Sequence, residues 1–137
     1  GEVVEHQSEY LHWSGFKSYP LPHRQPGPPI IIGGHSKAAL RRAVAHGDGW
    51  FAFPSGKDEF AGLVAQLRDL SEAAGRDPAS IEITTLWRDY DGGLETLESY
   101  RDLGVSRLLV PQGLLARGNL DENLAAFSEE VLAKIAP

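Results

Sequence analysis

The chain has 137 residues, with 13 Lys and Arg against 19 Asp and Glu for a formal charge of −6, no cysteine and no methionine. That length suits one domain with a single core, and the acidic balance, with no basic stripe, argues against a nucleic-acid footprint. The lack of cysteine excludes disulfides, thiolate catalysis and cysteine-ligated zinc or iron–sulfur centres.

No apolar run approaches the roughly 20 residues that span a bilayer, and no signal-like N-terminus is evident. A cytoplasmic protein with no membrane partner is therefore expected. The start at Gly1 and the absence of an initiator methionine raise the expectation that the chain is part of something longer.

Gly1–Gly27 contains His6, His12, His23, several aromatics and the proline-rich Pro20–Pro29. It has no sustained period and reads as an extended arm or long loop, with room for one short edge strand around Glu9–Trp13. From Pro28 the text becomes regular. Ile30–Ile32 is an unbroken β-branched run followed at once by Gly33 and Gly34, the pattern of a strand buried on both faces.

Ser36–His46 then carries Ala38, Ala39, Leu40, Ala43 and Val44 at helical spacing, with Arg41 and Arg42 on the other side, Ser36 as N-cap and Gly47 as C-cap. Asp48–Phe53 is a second strand, Lys57–Ala74 a long amphipathic helix, and Gly75–Ser80 a turn into a third strand, Ile81–Leu86. Leu94–Leu103 is helical, Val105–Val110 a fourth strand, and Gly118–Pro137 a terminal helix with Leu120, Leu124, Phe127, Val131 and Ile135 on one face. The fold class is α/β, with four parallel strands alternating with helices. Four such units make half of an eightfold (β/α) barrel, with a three-layer sandwich as the rival arrangement.

Glycines between a buried strand and a helix start let main-chain N–H groups from Gly34 to Lys37 converge on an anion, aided by the helix dipole. Ser36 adds a hydroxyl, and Lys37 or Arg41 adds charge. The plainer reading is a tight strand-to-helix turn, and His35 is either a donor in the site or an exposed loop residue. Asp48 reads as a turn residue capping a backbone amide. Trp50, Phe51 and Phe53 either line a ring-binding pocket or fill the core, and core is expected for two of the three. Trp87 and Arg88 follow the third strand, where barrel enzymes place ligand contacts, or form a surface pair. His6, His12 and His23 match no metal spacing, Asp89 and Asp91 are turn acids beside Gly92–Gly93, and no metal site is expected.

The stretch PGPPIIIGGHSKAALRRAVAHGDGWF, continued by AAGRDPASIEIT and LGVSRLLVP, resembles the luciferase-like monooxygenases, particularly flavin- or F420-dependent oxidoreductases. The resemblance implies a bacterial-luciferase-like (β/α)8 TIM barrel, of which residues 28–137 would be strands five to eight and residues 1–27 an extended arm. It also implies that Gly33 and Gly34, with His35 and Ser36 beside them, bind the phosphate of FMN or coenzyme F420. YLHWSGF resembles the family's approach to strand five, while PLPHRQPGPP departs from the usual lysine-containing lead. The first four family strands have no counterpart here, so a homodimer or pairing with an N-terminal half-barrel is expected. The implied activity is oxidation or reduction of a small organic substrate. The alternatives are a non-catalytic half-barrel module and, more weakly, a hydrolase or isomerase of phosphate ligands on the same scaffold.

Overall fold

A computed structural model describes residues 1–54, 56–87 and 94–135. Strands β1 (Val4–Gln7) and β2 (His12–Phe16) form an antiparallel hairpin. They are followed by β3 (Ile31–Gly33), α1 (Lys37–His46), β4 (Gly49–Phe51), α2 (Lys57–Ala73), β5 (Glu82–Leu86), α3 (Leu94–Asp102) and β6 (Val105–Leu109). The short α4 (Gln112–Leu115), α5 (Leu120–Phe127), a π-helical turn over Ser128–Leu132 and α6 (Ala133–Ile135) complete the order.

Where an extended arm or long loop with room for one short strand around Glu9–Trp13 was expected, two strands pair as a hairpin. Its turn closes locally, Ser8 N–H donating to Leu11 O at 2.8 Å, and Trp13 packs edge-on against Phe16 at 5.4 Å. Cross-strand bonds and aromatic pairs stabilise a hairpin without a strong apolar alternation. Among residues 1–30 only Trp13 and Gly27 are even half-buried.

The other four strands form a parallel sheet in the order β3-β4-β5-β6. Register places Ile32, Trp50 and Ile83 side by side, and Ile83 opposite Val105. Because side chains alternate along a strand, this row shares one face. That face is covered by helices, with Leu40, Phe60, Val64, Leu67 and Tyr100 in one core with Trp50 and Ile83. The next row, Gly33, Phe51, Thr84 and Arg107, lies on the opposite face. There Arg107 pairs with Glu82 at 3.0 Å.

This second face carries little cover, and it overturns two expectations. Ile30 and Ile31 are 54% and 41% exposed, so the apolar run is not a strand buried on both sides. It is an edge strand of a sheet with one open face. Of the three aromatics, only Trp50 is core, whereas Phe51 is half-buried and Phe53 is 50% exposed. Phe51 projects to the open face while its neighbour in sequence projects inward.

The terminal helix is also corrected, since α5, a π turn and α6 replace one continuous element. Leu120 and Leu124 are exposed and Val131 is buried. The segment lies across a cavity of about 550 Å³ shared with α3 and β6, so its apolar stripe meets the core at Phe127 and Val131 only in part.

Helix α1 is held at both ends. Ser36 Oγ accepts from Ala39 N–H at 3.2 Å as N-cap. At the other end the Arg76 guanidinium donates to Ala43 O (3.3 Å), Val44 O (2.8 Å) and Gly47 O (2.7 Å), and to Ser80 Oγ at 3.0 Å. The last carbonyls of a helix lack intrahelical partners and carry its negative dipole end, so a cation with several donors satisfies both needs. Arg76→Ala is expected to lower unfolding stability by about 1.5–3 kcal/mol in urea titration. Arg76→Lys should recover only part, because an ammonium cannot reproduce the planar fork. An unchanged midpoint for the alanine variant would show that the clamp contributes nothing.

Candidate functional site

The site expected at Gly33–Ser36 is the connection from β3 to α1, at the C-terminal end of an edge strand. Gly34 continues the ladder, its N–H donating to Phe51 O at 3.0 Å, and then turns with φ of +108°. A side chain is strained there, and an added Cβ would also stand 3.3 Å from Ala39 Cβ. Gly33 is different. A Cβ on it would meet nothing within 4 Å, and its φ is not in the left-handed region, so neither packing nor backbone conformation in this chain demands glycine.

Gly34 N–H is thus committed to the sheet, contrary to the expectation that it joins the anion donors. The N–H groups of His35, Lys37 and Ala38 find no acceptor in the chain among the described residues. His35, Ser36 and Lys37 are all exposed, as is Arg41 on the next turn. Ser36 Oγ uses a lone pair on Ala39 N–H and keeps its own proton to donate. The turn therefore presents backbone N–H groups at a helix start with a hydroxyl and two cationic side chains close by in sequence.

Trp50 and Trp87 do not lie on the open face. Trp50 is fully buried on the helix-covered side, stacked on Phe60 at 6.1 Å and 14°, and its Nε1–H donates to Gly34 O at 2.7 Å. Trp87 is 1% exposed, donates from Nε1 to Thr96 Oγ1 at 2.7 Å, meets Phe127 edge-on, and borders the cavity beneath α3. Arg88, with Asp89 and Asp91, falls outside the described residues.

Asp48 is structural, as its position before β4 suggested. Its Oδ2 accepts from Ile30 N–H at 2.7 Å, while its own N–H donates to Ile30 O at 2.8 Å and its carbonyl accepts from Glu82 N–H at 3.0 Å. One residue thus ties the starts of β3, β4 and β5 together. The Trp50 bond and the Arg76 clamp escaped the sequence reading. The signal for the first was a tryptophan one residue beyond Asp48–Gly49, and for the second an arginine directly after a helix-ending glycine.

Among the described residues no cluster of three or more histidine and acidic side chains is placed to hold a metal ion. No helix among them is long and apolar enough to cross a membrane.

Comparison with known proteins bears on the family and the fold. The model of the luciferase-like monooxygenases matches residues 1–87. Uncharacterized proteins of Mycobacterium bovis and Mycobacterium tuberculosis are each 34% identical over 144 residues, covering 98% of this chain and 48% of theirs. The chain spans about half the length of the curated relatives it matches. An F420-dependent secondary alcohol dehydrogenase, solved with an F420–acetone adduct, superposes with a TM-score of 0.69 at 13% identity. That match covers 96% of this chain and 56% of the dehydrogenase. A riboflavin lyase solved with modified FMN and riboflavin gives 0.50 at 18% identity, over 74% and 23%. The four parallel strands and their helices correspond to part of the larger barrel of such enzymes. With more than half its length matched by the family model, the chain belongs to the luciferase-like monooxygenase family.

Proposed function

We propose that this chain is the C-terminal part of a flavin- or F420-dependent oxidoreductase or monooxygenase, and that Gly33–Ser36 holds the cofactor phosphate. The observation that carries the reading is the pairing of Gly33, where an added side chain would project into open space, with unsatisfied N–H groups of Lys37 and Ala38 at the start of α1. A glycine that the fold does not need is explained by close approach of a ligand. Main-chain donors at the positive end of a helix suit a phosphate oxygen.

When bound, the flavin or deazaflavin supplies the hydride chemistry. This chain's residues bind and orient. The N–H groups hold the phosphate, Ser36 Oγ–H and the His35 imidazole donate to it, and Lys37 and Arg41 balance its charge. The small organic substrate would lie toward the open face, where Phe51 and Phe53 offer apolar surface.

That face and the unpaired edges of β3 and β6 support a further part of the proposal, that a second (β/α)4 unit completes the barrel. The unit is a second copy of this chain or an N-terminal half-barrel. The same open face favours one alternative, a non-catalytic half-barrel module whose role is assembly.

Titration with FMN and with F420, followed at their absorbance bands, separates these readings. Saturable binding of either supports the cofactor reading, and a folded dimer that binds neither leaves the structural module. Gly33→Val should leave thermal unfolding nearly unchanged, because a branched side chain is accommodated in the strand. It should weaken phosphate or cofactor binding by at least about tenfold, roughly 1.4 kcal/mol. Unchanged affinity would move the anion site elsewhere. In sedimentation or gel filtration, self-pairing predicts a species of twice 14.9 kDa. A purely monomeric chain rules self-pairing out and leaves the N-terminal half-barrel as partner.

A further inference from the structure

We infer that Trp50 is a positioning residue for the turn after β3, acting through the Gly34–His35 peptide to aim the His35 N–H at the bound anion. The inference rests on the reading of that turn as the phosphate site.

Gly34 belongs to the residue type with the widest backbone freedom, yet both peptide planes flanking it are fixed. Its N–H donates to Phe51 O at 3.0 Å, and its carbonyl accepts the Trp50 Nε1–H at 2.7 Å. The first bond belongs to the sheet ladder and would exist with any residue at position 50. The second depends on one side-chain atom.

The Gly34–His35 peptide is trans and planar, so its C=O and N–H point in opposite directions. With the carbonyl turned toward the Trp50 indole, the His35 N–H is turned away from it. Trp50 lies on the helix-covered side with Ile32 and Ile83, so the His35 N–H is turned to the side of the peptide opposite the indole. Among the described residues it meets no acceptor in the chain.

The indole cannot swing out of this role. Its ring is wholly enclosed and stacked on Phe60, and leaving the carbonyl would strand a buried N–H. The donor is therefore set before any ligand arrives. Without the bond, ψ of Gly34 is released, and an incoming anion must order the peptide as well as bind it.

The test uses the ¹⁵N-labelled chain, with residual dipolar couplings reporting the direction of the His35 N–H and inorganic phosphate as the probe ligand. Two changes at position 50 are compared. One is Trp50→Phe, and the other replaces the indole with its benzothiophene analogue, which keeps shape and burial and removes only the N–H. The expected result is a changed His35 coupling in the free protein, unchanged couplings in α2 and β5, and phosphate affinity lower by about twofold to tenfold.

If Trp50→Phe loosens the core or fails to fold, the analogue decides. An unchanged His35 vector in the analogue overturns the inference, as does a changed vector with full phosphate affinity. If phosphate shifts no amide signal of His35, Lys37 or Ala38 in the unaltered chain, the site reading fails instead, while the vector measurement still reports whether Trp50 orients the peptide.

Discussion

The buried indole of Trp50 is the point on which the arrangement around the site depends. It sits in the second strand of the parallel sheet, stacks on the first turn of α2 through Phe60, and holds the carbonyl of Gly34 at the mouth of α1. Core and turn are thereby one unit, because the atom that satisfies the indole N–H also sets the exit of β3. Below it, Asp48 fastens the starts of three strands, and Arg76 closes the far end of α1. Between them, α1 is pinned with its N-terminus at the C-terminal edge of the sheet, where parallel α/β folds place ligands.

The sheet itself is two-sided in an unequal way. Helices cover Ile32, Trp50, Ile83 and Val105, while Ile31, Phe51, Glu82 and Arg107 look the other way. The open side is neither a polar solvent face nor a closed core, since it mixes exposed Ile31 and half-buried Phe51 with an ion pair and a buried Thr84. Such a mixture suits the inner layer of a barrel.

Much of the fold was legible in advance because its signals are local. Branched residues ending in glycine, helices opened by Ser36 and closed by glycine, and four strand–helix alternations dictate a parallel sheet with little help from distant contacts. The glycine pair was legible too, though its two members proved unlike. Gly34 is required by its positive φ, and Gly33 stands in open space. The hairpin of the arm was less visible, because its apolar alternation is weak and its strands pair, with His6 against Trp13, only once the chain has folded back.

The alternation of the four parallel strands with helices, the position of the strand–glycine–helix turn and the family resemblance were determined by the sequence alone, since each rests on periodicity or on neighbours within a few residues. Only the tertiary structure decided which side of the sheet is covered, and so why Ile31 and Phe53 are exposed while Trp50 and Trp87 are enclosed. Hydrophobicity records a side chain's preference for burial and not whether a partner is present to bury it. The bonds from Trp50 to Gly34 and from Arg76 to Val44 join residues 16 and 32 positions apart. Their geometry exists only after strands and helices have packed.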